Sequence, residues 1–383
     1  MKEQLVQVID KKDLQVLILT DGYNIHHLSG YRGHTGMLVA FQGEQYILTD
    51  SRYTEQVELE APEFTCVDIG REGYSKTIAA MVQKAFAKEG RSTLRIGFEN
   101  KEISYMQYQA FVDTFAKELT GMQVEFVPLE DAVNVYREVK TEDEIAKLAR
   151  AEQIGDEAFT EIVKFIHENW KDGLTEQRVA LQLEYEMRLR GAEGTSFDTI
   201  AASGSNSSLP HAMPQPKLLT EGDFLTMDFG CMYQGYCSDM TRTIHIGDTV
   251  EAEQQKVYDT VLQAQLAALS VVKPGMVCSD VDKCARDIIA DAGYGDYFGH
   301  GLGHSVGLFI HEEPRFSMKC DAVLKPGVVI TVEPGIYLPG RFGVRIEDMI
   351  VVTEDGYQNL SEVISGVLKD VLELFHGGRV YIV

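Results

Sequence analysis

Four acidic residues stand inside apolar runs that otherwise read as buried β-strands, and they come as two mirrored pairs. The run Phe224-Leu225-Thr226-Met227-Asp228-Phe229-Gly230 carries one acid, and a second strand around Cys237-Ser238-Asp239-Met240-Thr241 carries another. Tyr233-Gln234-Gly235 lies near the midpoint of Asp228 and Asp239. A hairpin there sets the two acids nearly opposite, with Cβ atoms about 5 Å apart. Downstream, residues 328–332 lead into Glu333-Pro334-Gly335, and Val344-Arg345-Ile346-Glu347-Asp348 leads into apolar residues 349–352. Glu333 and Glu347 are equidistant from Gly340 in the turn-like Leu338-Pro339-Gly340-Arg341, which predicts a second hairpin and a second acid pair. One such acid alone is ordinarily exposed or ion-paired. Two mirrored pairs on apolar strands are too costly to bury without cations.

Between the pairs lies Gly299-His300-Gly301-Leu302-Gly303-His304-Ser305-Val306-Gly307. Its glycines disfavour a helix and let backbone and imidazoles approach a site closely. They do not fit a phosphate-binding G-x-G-x-x-G, and no G-x-x-x-x-G-K-[ST] occurs. His300, His304 and His311 are three of the chain's ten histidines. Four carboxylates and one imidazole make a ligand set for two divalent cations of the manganese, iron, cobalt or zinc type, about 3.5–4 Å apart. A water bridging such a pair becomes hydroxide near neutral pH, so no side-chain nucleophile is needed. Ser203-Gly204-Ser205-Asn206-Ser207 is not a G-x-S-x-G elbow and reads as a flexible loop.

The chain around this constellation has 383 residues, long enough for two domains. Short apolar runs at 14–19, 36–41 and 46–48, separated by Asp21-Gly22 and Gln42-Gly43, predict strands and turns. Residues 76–89 and 104–119 have helical spacing, so the first ~130 residues form a compact α/β domain. Thr141-Glu142-Asp143-Glu144 is a capping-box pattern that opens a long amphipathic helix to Trp170. A second helix follows over 175–190, then a loop over 202–216, then strands interrupted by helices near 253–272 and 279–292. The boundary falls at 135/136, giving domains 1–135 and 136–383.

A net charge of −24 excludes nucleic acid and anionic membrane surfaces as expected partners. The six cysteines form no C-x-x-C pair, residues 1–13 lack the apolar run of a signal peptide, and no stretch approaches eighteen apolar residues. These features predict a cytoplasmic protein with free thiols.

Asp228, Asp239, His304, Glu333 and Glu347, with His211 in Leu209-Pro210-His211-Ala212-Met213-Pro214, resemble the ligand and flanking motifs of the pita-bread metallopeptidases, nearest to Xaa-Pro aminopeptidase and Xaa-Pro dipeptidase (prolidase). Residues 20–53 resemble the creatinase-type N-terminal domain, so the likeness covers most of the chain. It implies an α+β protein in which a C-terminal pita-bread catalytic domain follows a smaller creatinase-type α/β domain. By the same resemblance Asp239 and Glu347 bridge both metals, Asp228 completes one, and His304 and Glu333 complete the other. Glu333 is also the general acid/base, His211, His300 and His311 bind substrate or steady the tetrahedral intermediate, and Arg345 orients its neighbouring carboxylates and counts among the substrate-binding residues. The family implies manganese, with cobalt or zinc able to substitute, and a homodimer in which the N-terminal domain restricts access.

The expected activity is hydrolysis of the N-terminal Xaa-Pro bond of peptides with proline in second position, through a metal-bridging hydroxide. The alternative is an Xaa-Pro dipeptidase, which needs a cationic group for the product's carboxylate. A methionine aminopeptidase would not usually carry the N-terminal domain, a creatinase-like amidinohydrolase lacks the ligand set, and a non-catalytic binding protein has no need of it. The apolar end Val380-Tyr381-Ile382-Val383 departs from the short helical finish of the family.

Overall fold

A computed structural model describes residues 2–361 apart from 90 and 248, and divides the chain into a unit ending at Arg137 and a second beginning at Glu138. The unusual C-terminal segment 374–383 lies outside the described residues.

In the first unit, helices α1 (Lys2–Lys12), α2 (Gly22–Ser29), α3 (Thr54–Glu60), α4 (Gly73–Phe86) and α5 (Tyr105–Glu118) accompany strands β1 (Val16–Leu19), β2 (Met37–Phe41), β3 (Glu44–Thr49), β4 (Thr65–Asp68), β5 (Thr93–Phe98) and β6 (Gln123–Pro128). The sheet order is β4-β3-β2-β1-β5-β6. Residues of β1 and β2 alternate between two cores, Leu17, Leu19 and Leu38 on one face and Val16, Ile18 and Val39 on the other. Coverage of both faces explains why these strands read as unbroken apolar runs. Asp21-Gly22, expected as a turn, instead starts α2: the Asp21 carboxylate accepts from Tyr23 N at 2.8 Å. An N-cap and a turn share the same residue preferences, which is why the two cannot be told apart by composition.

The second unit opens with α6 (Glu142–Asn169), and the capping box is present: Thr141 Oγ1 accepts from Glu144 N, and the Glu144 carboxylate accepts from Thr141 N at 2.8 Å. Helix α7 (Glu176–Leu189) packs on α6. Then come β7 (Gly194–Thr195), β8 (Ile200–Ser203), β9 (Phe224–Phe229), β10 (Cys231–Tyr233), β11 (Tyr236–Cys237), β12 (Met240–His245), helices α8 (Ala252–Val271) and α9 (Cys278–Asp291), and seven strands. These are β13 (Gly303–Ser305), β14 (Glu312–Phe316), β15 (Val329–Val332), β16 (Gly335–Leu338), β17 (Phe342–Arg345), β18 (Asp348–Val352) and β19 (Tyr357–Asn359).

The strands are flanked by two helix pairs. Ile154, Phe159 and Leu183 of α6 and α7 share a core with Leu225, Met227 and Ile244, while Val257, Val261 and Ile289 of α8 and α9 share another with Ile330, Val344 and Ile350. Each such aliphatic side chain contributes roughly 1.5–3 kcal/mol on burial. The helices therefore clamp the strands that bear the acids. Sheets β12-β9-β8 and β14-β13-β15-β18-β19 meet where Thr241 bridges Glu347.

Several glycines permit close main-chain approach in this unit, and Gly303 lies nearest the acid pairs' imidazole. A Cβ on Gly303, in the strand before His304, would lie 2.0 Å from the main-chain oxygen of Thr331, which cannot move without displacing β15. Gly303→Ala is expected to destabilise the second unit by about 1–3 kcal/mol in urea unfolding followed by Trp170 fluorescence, an overpacking cost. Gly356→Ala, with open space around its Cβ, is expected to stay within about 0.5 kcal/mol of the wild type. Equal melts for the two would contradict this packing.

Candidate metal centre

Asp228 lies on the central strand of its sheet, opposite Ile200 on one side and Thr241 on the other. The first hairpin forms, but its register differs from the expected one. A two-residue turn at Gln234-Gly235, with φ of 50° and 83°, pairs Tyr233 with Tyr236 and sets Thr241, not Asp239, against Asp228. Such paired positive φ values match the twist of a tight hairpin. Asp239 sits in the break between β11 and β12, diagonal to Asp228 instead of opposite it. The second hairpin follows expectation. Val332 pairs with Asp348 and Gly335 with Arg345, so Glu333 and Glu347 occupy opposed positions in the gap between two ladders of one register.

The fifth group arrives on β13, whose bulge between His304 and Ser305 breaks the ladder there. His304 Nε2 lies 3.4 Å from Asp239 Oδ2 and 3.6 Å from Glu333 Oε1. Ligand atoms of Asp239, His304 and Glu347 all fall within 4.8 Å of one another. His304 Nδ1 faces Ser305 O at 3.2 Å. A carbonyl there fixes the proton on Nδ1 and leaves Nε2 as a lone-pair donor, the usual arrangement of a ligating histidine. Burial, with His311 adding to it, lowers the His304 pKa to about 3, which keeps the ring neutral.

The carboxyls show the opposite effect. Burial, followed by the charge of Glu347, raises both Asp239 and Glu333 well above the usual carboxylate range, and burial with Asp228 pushes Glu347 up to about 8. Two oxygens in this cluster, Asp228 Oδ1 and Glu347 Oε1, are buried without a hydrogen-bond partner. Their counterparts are held: Arg345 Nη2 donates to Asp228 Oδ2, and Thr241 Oγ1 donates to Glu347 Oε2 at 2.6 Å. Oriented, desolvated and unpaired oxygens beside a neutral imidazole fit divalent cations of oxygen and nitrogen preference.

A cavity of about 680 Å³ opens onto these groups, lined also by His211, His300, His311, Arg315 and Arg345. His211 and His311 are exposed to it. His300 is not available in the same way, because Nδ1 faces Gly301 O at 2.8 Å and Nε2 takes the Tyr337 hydroxyl at 2.8 Å. Arg345 Nη1 donates to that hydroxyl at 2.9 Å and Nε to Thr241 Oγ1 at 3.0 Å. The guanidinium thus touches the acid cluster, while His300 acts on it through Tyr337. Sequence reasoning missed Thr241, Tyr337 and Arg315. The alternating exposure of β14 puts Arg315 on the open face four residues after His311, a spacing that would have flagged it had the segment been read as a strand.

Residues 146–354 match metallopeptidase family M24, and residues 2–139 match the creatinase/prolidase N-terminal domain. A relative from Pyrococcus furiosus named Xaa-Pro dipeptidase is 37% identical over 94% of this chain and 97% of its own length. The solved Xaa-Pro dipeptidase of Bacillus anthracis superposes with a TM-score of 0.84 at 37% identity, covering 94% of this chain and 96% of that one. The solved X-Pro aminopeptidase of Thermotoga maritima gives 0.81 at 34% identity, with coverage of 93% and 98%. The expected α+β, two-domain pita-bread architecture is the one observed.

The metal-free centre has a signature in pH. A carboxyl whose folded pKa is raised stabilises the fold fully below its unfolded value, and that contribution is lost as pH rises through the folded value. For Glu347 the window runs from about 4.5 to about 8. Chelated protein is expected to melt at progressively lower temperature across that window, and manganese added at pH 8 should restore the loss. A melting temperature that rises over the window in the absence of metal would contradict the site as described.

Proposed function

The chain belongs to metallopeptidase family M24, and from that premise we propose that it hydrolyses the peptide bond before proline in substrates of the form Xaa-Pro, using two divalent cations. Asp228, Asp239, His304, Glu333 and Glu347 are the residues that would hold them. When bound, a pair of divalent cations supplies Lewis acidity and ionises a water near neutral pH. Manganese is the ion we propose, on the carboxylate-rich donor set with a single imidazole. The observation that carries the reading is the gathering of ligand atoms of Asp239, His304 and Glu347 within 4.8 Å of one another, with buried oxygens on Asp228 and Glu347 that no hydrogen bond satisfies.

The remaining steps fall to side chains. Glu333, whose carboxyl is raised by burial and by Glu347, is suited to take a proton from the attacking water at Oε and return it to the proline nitrogen as the bond breaks. Burial lowers the pKa of His311. A neutral imidazole at the cavity wall can donate one N–H to a developing oxyanion, and His211 can do the same from its exposed place in the lining. Arg345 donates to Asp228 Oδ2 and so orients that carboxylate.

The cationic group that a dipeptidase needs is supported by Arg315. It lines the cavity with a side chain 45% exposed, and among the described residues the exposed Glu313 carboxylate is its ion-pair partner, at 3.1 Å. A guanidinium at this position can bind the free carboxylate of an Xaa-Pro dipeptide in two parallel hydrogen bonds. That favours the dipeptidase over the aminopeptidase, a choice in keeping with the names of the Pyrococcus and Bacillus relatives. The unpaired cysteines support a reducing, cytoplasmic setting.

Manganese-loaded protein is expected to cleave Xaa-Pro dipeptides faster than Xaa-Pro-Yaa peptides, with Glu333→Ala abolishing both. Arg315→Met should raise KM for dipeptides roughly tenfold or more, the worth of a charge-assisted pair, and leave KM for longer peptides within about twofold. Preferential cleavage of longer peptides would establish the aminopeptidase instead. Loss of neither activity in Glu333→Ala would overturn the mechanism.

A further inference from the structure

Arg242 is among the largest side chains fully buried in this protein, only 1% exposed. A guanidinium in that position costs several kcal/mol in lost hydration unless partners surround it, and the partners it has are informative. Nη1 donates to Thr241 O at 2.9 Å and to the main-chain oxygen of Glu347, and Nη2 donates to Asp348 Oδ1 at 2.8 Å. The carboxylates of Asp156 and Glu152, both buried on α6, lie within electrostatic reach. Arg242 itself is not part of the cavity lining, although Glu347, which it contacts, is.

The polar atoms of Glu347 show what the arrangement accomplishes. Its N–H donates to Thr241 O at 3.1 Å, its carbonyl accepts from Arg242, and its Oε2 accepts from Thr241 Oγ1 at 2.6 Å. Oε1 alone has no partner. The dipeptide Thr241-Arg242 therefore holds Glu347 at every polar atom except Oε1. The Glu347 peptide unit lies in the gap between β17 and β18, tied to β12 through its bridge with Thr241, and the guanidinium adds a bond to its carbonyl.

Beyond Arg242 the chain of contacts continues to a rigid element. Asp348 Oδ2 accepts from Asn359 Nδ2 at 2.9 Å, Asn359 Oδ1 accepts from Ser361 N at 2.9 Å, and Ser361 Oγ donates to Glu152 Oε1 at 2.6 Å. The anchor of the bridge is thus α6, whose face is fixed by Ile154, Ala158 and Ile162 in the core.

We propose that Arg242 is a positioning residue for the metal centre, setting the peptide plane and hence the carboxylate of Glu347 from behind. The inference rests on the reading of Glu347 as a ligand of both ions. Removing the guanidinium takes the donor from the buried Glu347 carbonyl and frees the backbone to turn, which shifts the Glu347 carboxylate relative to Asp239 and His304. The effect falls on metal affinity first and on turnover through it.

The test uses the full chain, stripped of metal and titrated with manganese chloride in a calorimeter, for the wild type, Arg242→Lys, Arg242→Met and Asp348→Asn. Lysine keeps the charge but cannot reach Glu347 O and Asp348 together. Arg242→Lys is expected to give a cooperative apo melt and to bind one of two ions about 10–100-fold more weakly, the usual cost of losing an outer partner of a metal ligand. Its kcat should recover at high manganese while KM for an Xaa-Pro dipeptide stays unchanged, which a general loss of structure would not produce. Asp348→Asn should weaken binding in the same direction, and it decides the matter should the Arg242 variants fail to fold. A wild type with two ions and variants of equal affinity would overturn the proposal alone. A wild type that binds no ion would overturn both the proposal and the metallopeptidase reading on which it rests.

Discussion

Repulsion among four carboxylates gathered at one desolvated point is the constraint that the second unit is built around. Asp239, Glu333 and Glu347 all have their protonation shifted upward by burial and by one another. A polypeptide does not place groups in that relation by hydrophobic assembly alone, because each approach costs energy that the core has to offset. Two buried arginines answer part of the cost: Arg345 on the Asp228 side and Arg242 behind Glu347. What they leave uncompensated, the unpartnered Asp228 Oδ1 and Glu347 Oε1, is the portion suited to cations.

The architecture follows from the need to hold those groups still. Each acid sits on or at the end of a strand within a hairpin, where register fixes its position to within a residue. Helices α6 and α7 close one side and α8 and α9 the other, so the strands cannot separate to relieve the charge. The side chains that complete the cavity, His211, His311 and Arg315, come from loops or an exposed strand face.

Much of this was legible in the chain. The second acid pair reads correctly because Glu333 and Glu347 flank a turn whose Gly340 adopts a φ of 71°, so symmetry about that glycine is the register. The first pair misleads by two positions because the turn centres on Gln234-Gly235 and the strand breaks at Ser238-Asp239, which no alternation pattern reveals. The capping box at Thr141 is a local signal and holds. The short strands β7, β10, β11 and β13, of two or three residues each, are too brief to show an alternation pattern of their own. Thr241 and Arg242 look like ordinary strand residues until Glu347, more than a hundred positions away, is brought beside them. Tyr337 is equally silent until His300 and Arg345 meet at its hydroxyl.

The central claim is that two divalent ions sit among Asp228, Asp239, His304, Glu333 and Glu347. Diffraction from manganese-soaked crystals, collected on both sides of the manganese absorption edge, locates such ions independently of any activity. The account predicts two anomalous peaks per chain about 3.5–4 Å apart, with Asp239 and Glu347 in contact with both. A single peak outside this cluster, or none in crystals of protein that retains peptidase activity, would contradict it.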